Sequence, residues 1–246
     1  MLKYLMDKSI VDKLIELNKK FYTDNADDFS VSRNKYYWNL FEYSMLDCKT
    51  NFFKLDDNYI YIFGNLTNSF LEKEEIRILD LGSGNGRFLE FLLSKESIKN
   101  KKIKYIGTDF SKRFLELTKD VAKKIQDSNI NFSFEILEVD ITDENQMKTL
   151  ESMGKFDLIV SIAVMHHIPS KELRVKITNY LKTILSIDGR LFITTWDFVK
   201  SNSKLIVKPE IIGFKKSDLE INDYILTWKK SDYRYLCLLD SSALIS

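Results

Sequence analysis

The sequence predicts an α/β protein: a mostly parallel, twisted sheet with helices on both faces and an N-terminal helical lid. Two observations carry this. Between Ile76 and Phe88 an apolar run of period two ends on Asp80, and glycines follow at 82, 84 and 86. A helical pattern then opens at once over Phe88, Leu89, Phe91, Leu92 and Leu93. That is a buried strand, a tight turn and a helix. Beyond it, short strand-like runs alternate with helical stretches, the βαβ signature of a parallel sheet.

The chain has 246 residues, enough for one large domain with a decorated N-terminus. Lysine and arginine number 37 against 36 acids, a net charge of +1, so any polyanion must be held by local patches. Aromatic residues at 13% and charged residues at 30% mark a globular chain. The cysteines, Cys48 and Cys237, match no zinc spacing; reduced thiols and no internal metal site are expected. There is no signal-like apolar segment near the N-terminus and no run of eighteen apolar residues, which predicts a soluble intracellular protein.

In chain order, Leu2, Leu5, Ile10, Leu14, Leu17 and Phe21 space out an amphipathic helix over 1–22, a candidate lid on the sheet. Residues 21–33 read as a polar, irregular loop that delivers Arg33 ahead of Lys35, Tyr36, Tyr37 and Trp38. An arginine among aromatics is a candidate active-site flap, or else a plain exposed side chain. Residues 46–72, with Phe52, Phe53, Leu55, Tyr59, Ile60, Ile62, Phe63, Leu66 and Phe70, read as a helix ahead of the first strand. Residues 1–72 thus form the N-terminal extension and 73–246 the core.

The glycine turn restricts the cofactor class. A dinucleotide fingerprint needs a small residue three places after its second glycine, and Arg87 stands there. The second strand, 104–109, ends on Asp109, 23 positions beyond Gly86, near the spacing of a carboxylate that grips ribose hydroxyls. Ser111 is the N-cap of the next helix. A third strand, 132–139, leads to Asp140 and Ile141; on the residues alone, Asp140 is equally a turn or cap residue before a helix near Asp143. The fourth strand, 156–161, runs through Ile162 and Ala163 to His166 and His167, the only two histidines. Ligands bind beyond the carboxyl ends of such strands. Adjacent side chains diverge, so the pair suits a metal poorly; one histidine is expected to be structural and the other to face substrate. A helix over 170–185, a fifth strand ending on Trp196, a lysine-bearing stretch over 199–218 and strands at 223–228 and 233–239 complete the chain.

The acid followed by alternating glycines resembles the first motif of the class I S-adenosylmethionine-dependent methyltransferases, whose fold is Rossmann-like. This resemblance implies S-adenosylmethionine as cofactor. Asp80 would sit near its methionine ammonium, with Gly82, Gly84 and Gly86 curled beneath it. Asp109 would take the ribose, and Asp140 and Ile141 the adenine. Ile162 and Ala163, at the end of the fourth strand, join the same set.

A narrower resemblance rests on Ser161 to His167 with Arg174 and Val175, Trp196, the segment 29–33, residues 223–228 and Tyr233-Arg234-Tyr235. Together they are similar to the eukaryotic tRNA wobble-uridine methyltransferases. Those enzymes esterify 5-carboxymethyluridine in the anticodon as heterodimers with a small zinc-binding activator protein. The resemblance implies that Arg33 grips the substrate carboxylate, while His166 or His167 and Trp196 orient and stack the uracil. It places the protein in the cytoplasm, with a nuclear pool as the alternative. The chain departs from the pattern in a longer stretch between Trp38 and Ile76, a short linker before 223 and an early stop after Tyr235. Lys19, Lys20, Lys35, Lys229 and Lys230 are candidate phosphate contacts on tRNA, and Lys99, Lys101, Lys102 and Lys104 read as a solvated turn. The third strand, through Phe132, Phe134 and Ile136, is a candidate edge for the activator to cover. The rival readings are a methyltransferase for a small-molecule or protein carboxylate or amine, and a non-catalytic cofactor-binding subunit.

Overall fold

The computed structural model describes residues 6–32, 50–55, 57–67, 69–129, 131–229, 231–240 and 242–244. Arg33, Lys35, Trp38, Cys48 and Lys230 lie outside these residues.

The central sheet has seven strands: β1 (Phe52–Leu55), β2 (Asn58–Gly64), β3 (Glu75–Leu81), β4 (Lys102–Asp109), β5 (Phe132–Glu138), β6 (Phe156–Ile162) and β7 (Leu185–Trp196), in the spatial order β1-β2-β7-β6-β3-β4-β5. The five from β7 to β5 are parallel; β2 runs antiparallel to β7, and β1 to β2. After β3 the chain winds outward through β4 and β5, then returns to β6 on the other side of β3. That reversal leaves a crevice at the carboxyl ends of the strands.

Alternation along the strands divides the core between the two faces. Ile76, Ile78, Leu158 and Val160 pack with Phe88, Leu92 and Ile98 on one side. Leu79, Leu81 and Ile159 pack with Ile177 and Leu181 on the other. The helices that cover these faces include α3 (Arg87–Leu93), α5 (Lys112–Ser128), α6 (Glu144–Thr149) and α7 (Lys171–Thr183), with α4 (Glu96–Lys99) a single short turn. As expected, Ser111 caps α5, its side chain accepting from Phe114 N.

Two sequence expectations are corrected. Residues 52–64 form a β-hairpin and not a helix. The run Tyr59-Ile60-Tyr61-Ile62-Phe63 is β-branched and aromatic throughout, Asp57 and Asn58 stand at the turn, and β7 offers it a full ladder. Residues 26–32 form a helix, α2 (Ala26–Ser32), where a loop was expected; Asp27 and Asp28 in its first turn complement the helix dipole.

Helix α1 (Lys8–Asp24), capped by Asp7, lies across the carboxyl ends of the sheet. Its Asn18 donates to the carbonyls of His167 (2.8 Å) and Tyr235 (3.0 Å) and accepts from Tyr235 N (2.8 Å). A separate three-stranded sheet, β10 (Asp232–Cys237), β9 (Asp223–Trp228) and β8 (Ile206–Val207), closes the same end. The β1–β2 hairpin extends the central sheet beyond β7, and the last strands lie over the site. Arg174 anchors them: its guanidinium donates to Ile168 O (2.8 Å) and to Glu220 (2.9 Å), while Tyr235 donates to Asp223 (2.6 Å). Among the described residues no helix is long and apolar enough to cross a membrane.

Candidate functional site

The turn after β3 is tied to β4, because Gly82 N and Ser83 N both donate to Thr108 O (2.9 and 2.8 Å). All three turn glycines have positive φ, but they serve different ends. A Cβ on Gly82 would fall 2.5 Å from Val164 Cγ2, so its hydrogen is what the packing admits. A Cβ on Gly84 would meet nothing within 4 Å, so this backbone borders open space. A Cβ on Gly86 would press on Thr118 and Val121 of α5. Gly86, grouped above with the cofactor residues, thus permits helix packing and does not line the cavity.

Two buried acids flank this turn. Asp80, 1% exposed, accepts from the Tyr105 hydroxyl (2.7 Å). Burial pushes its carboxyl up to about 7, against the Tyr105 hydrogen bond and with help from the Asp109 charge. Asp109 receives Gly84 N (3.1 Å) on one oxygen and Ser111 N (2.9 Å) on the other, and burial raises it to about 6. At the end of β5, Asp140 accepts from Thr142 N and Oγ1 (2.8 and 2.6 Å) on one oxygen and pairs with Lys19 of α1 (2.8 Å) on the other. The helix cap is Asp143. Lys19 is therefore engaged with Asp140 and Glu16, Lys20 with Asp24, and Lys229 with Asp28. These lysines, expected to meet phosphates, are occupied by intramolecular partners.

Opposite this turn, β6 is followed by Ala163, a non-glycine residue at φ 57 whose N–H donates to Thr194 O (3.0 Å). This conformation turns the chain into the short helical turn Met165–His167. The two histidine rings stand 4.3 Å apart. His167 Nε2 lies 2.7 Å from the Tyr22 hydroxyl, which in turn accepts from Arg234 Nη1 (3.2 Å). On the other side of the ring, His167 Nδ1 lies 3.4 Å from Tyr235 O.

Arg234 also reaches this place, a buried cavity-lining residue whose role its sequence context did not reveal. Three arginines are buried among the described residues. Arg190 donates to the carbonyls of Asn65, Leu66 and Thr67, and Arg174 has a carbonyl and a carboxylate. Arg234, 2% exposed, has one phenolic oxygen and the faces of Phe21 (5.1 Å), Trp228 (5.7 Å), Phe29 (5.8 Å) and Trp196 (6.0 Å). Its Nε is buried without a hydrogen-bond partner, and no described carboxylate pairs with it.

A single cavity of about 840 Å³ joins these parts. Apart from Gly86, every described residue proposed above for the site lines it, including Asp140, Ile141, Ile162, Ala163, both histidines and Trp196. Tyr22, Arg234 and Lys19 also line it, as do Asp57 and Asn58 at the tip of the hairpin. Asn58 is there because it faces Trp196 in the β2–β7 register.

A family model described as "Methyltransferase domain" matches residues 72–236. The chain is similar to an Arabidopsis thaliana tRNA (carboxymethyluridine(34)-5-O)-methyltransferase, 27% identical over 131 residues, 53% of this chain and 26% of that protein. It is also similar to a Mus musculus probable tRNA methyltransferase 9B, 23% identical over 141 residues, 57% of this chain and 26% of that protein. The matches thus span about a quarter of the length of these relatives. Among solved structures, a SAM-dependent methyltransferase from Methanosarcina mazei aligns with TM-score 0.49 and 16% identity over 70% of this chain and 77% of that one.

Proposed function

This chain belongs to the methyltransferase domain family, and on that footing we propose that it is an S-adenosylmethionine-dependent tRNA methyltransferase that forms the methyl ester of 5-carboxymethyluridine at the wobble position. Arg234 is the observation that carries this reading. Burying a guanidinium costs several kcal/mol unless it is paired. Aromatic faces return about 0.5–2 kcal/mol each. An anion in the cavity supplies the remainder, and a substrate carboxylate is such an anion as well as the nucleophile a methyl ester requires. The name of the Arabidopsis relative specifies the same ester.

The described residues fit S-adenosylmethionine. The open backbone at Gly84 leaves room beside the turn, and the cavity suits a ligand of that size. Asp80 would hold the ammonium, Asp109 the ribose hydroxyls, and Asp140 and Ile141 the adenine. When bound, the cofactor supplies an electrophilic methyl group.

The chain's own contribution is positioning. A carboxylate with an ordinary pKa of about 4 is ionised at neutral pH, so no general base is needed. Arg234 holds one carboxylate oxygen and leaves the other free to attack, and the Tyr22 hydroxyl fixes both Arg234 and His167. Trp196 offers a face for the unstacked base. Arg33, outside the described residues, is a second guanidinium for the same anion. The edge of β5, which among the described residues is hydrogen-bonded only to β4 and carries the half-buried Phe134 and Ile136, is the surface for a small zinc-binding activator protein.

The test is labelled methyl transfer to bulk tRNA, with and without the activator, followed by mild alkali. Release of the label identifies an ester. Label retained after alkali means N- or C-methylation and overturns the reading; no transfer to tRNA returns the chain to a small-molecule or protein substrate, or to a non-catalytic subunit.

A further inference from the structure

The stretch 199–217 carries five lysines and a single acid, Glu210. It leaves β7 at the mouth of the cavity, where Lys200 and Asn202 line the opening, and then runs as β8 along β9 (Ile206 opposite Leu226, Val207 opposite Ile225). Most of its apolar residues face inward: Val199, Leu205 and Ile206 pack with Phe198 and Leu226, and Phe214 joins the main core, while Ile211 is exposed. Its lysines, Lys200, Lys204, Lys208, Lys215 and Lys216, are all exposed. The segment is therefore anchored by one side and basic on the other.

These cations differ from the lysines that the sequence suggested for RNA. Lys19, Lys20 and Lys229 each hold a carboxylate at 2.8 Å or less. Among the described residues Lys204, Lys208 and Lys215 have no ion pair, and Lys200 has only Asp57 at 3.8 Å. Lys216 donates to the carbonyl of Asp223 (3.3 Å). Charge that is neither neutralised nor buried, and that begins at the rim of a binding cavity, is complementary to a polyanion entering that cavity.

We propose that residues 199–217 form the track for the phosphate backbone of the nucleic acid flanking the modified nucleoside, with Lys204, Lys208 and Lys215 as its phosphate contacts. This rests on the tRNA reading above. Phosphate contacts made by lysines release counterions, so each contributes to the salt dependence of binding and none reads sequence.

The experiment compares wild type, the triple variant Lys204→Gln/Lys208→Gln/Lys215→Gln, and a control that loses the same charge on α5, Lys119→Gln/Lys123→Gln/Lys124→Gln. Binding of tRNA and kcat/KM are followed from 50 to 200 mM salt. Methylation of the isolated 5-carboxymethyluridine nucleoside is followed in parallel. The track variant should bind tRNA with a log–log salt slope shallower by about 2 to 3, and should leave kcat/KM for the nucleoside within twofold. The control should keep the wild-type slope. A wild-type slope in the track variant, or an equal loss in the control, overturns the track and leaves the tRNA reading standing. Failure of the wild type to bind tRNA removes both.

Discussion

The Tyr22 hydroxyl stands 2.7 Å from Nε2 of His167. The pair joins the N-terminal helix to the turn after β6 and fixes the ring of a cavity-lining histidine. Tyr22→Phe keeps the ring in its aromatic cluster and removes the hydroxyl, which also serves Arg234. Expected is a stability loss of about 1 kcal/mol in urea, with kcat for methyl transfer down about tenfold and cofactor affinity within twofold. An unaltered kcat would remove Tyr22 from substrate positioning.

Arg234 offers a sharper separation of folding from function. A buried charge without an ion-pair partner carries an uncompensated desolvation cost, which an apolar side chain of similar volume relieves. Arg234→Met should hold or raise the melting temperature while abolishing methyl transfer. Arg234→Lys keeps the charge but loses the planar fork, and should lower kcat by about a hundredfold. A variant that is active, or one that is inactive only because it is unfolded, would assign Arg234 to the core instead.

Asp80 gives the pH dependence. Its carboxyl, raised by burial to about 7, is partly protonated in the free protein at neutral pH. A bound ammonium favours the ionised form, so affinity for S-adenosylmethionine should rise with pH up to about 7 and level off above. The stability sign is opposite. A carboxyl raised in the folded state holds its proton where the unfolded chain has lost it, so its contribution to stability is present below about 4 and is lost as pH rises through about 7. Asp80→Asn should bind the cofactor more weakly, with a flatter profile, and should lose that decline in stability. Calorimetric titrations and melts between pH 5 and 8.5 would check both.

Gly82 and Gly84 should fail differently. At Gly82 a methyl collides with Val164, so Gly82→Ala should add an overpacking cost of about 1–3 kcal/mol to that of its positive φ. At Gly84 a methyl meets open space, and the cost is the positive φ alone, about 1–2 kcal/mol. Its methyl stands beside the cavity, so Gly84→Ala should lower cofactor affinity by tenfold or more in protein that still folds. Unfolding curves paired with cofactor titrations distinguish the two.

What the sequence made legible was local. Ile76 to Gly86 announced strand, turn and helix because period, acid and glycines fall within a dozen residues. Asp109 followed from one spacing, and the exit of β6 from its histidines. What it hid was long-range. Tyr22 and Arg234 meet across two hundred positions, and nothing near either says that four rings will enclose the guanidinium. Lys19 reads as a phosphate contact in the sequence, and Asp140, which occupies it, lies more than a hundred positions away. The hairpin over 52–64 is hidden because its ladder partner, β7, lies far downstream, and strand formation here depends on that partner.

The β1–β2 hairpin also has a kinetic consequence. Gly64 must find Arg190, well over a hundred residues later, so this zipper closes one of the longest loops in the molecule and belongs to the slow part of assembly. Because Asn58 reaches the cavity mouth only when it stands opposite Trp196, the ligand chamber acquires its rim at that late step. A nascent chain released before β7 would hold the glycine turn and both buried acids, yet have no finished chamber.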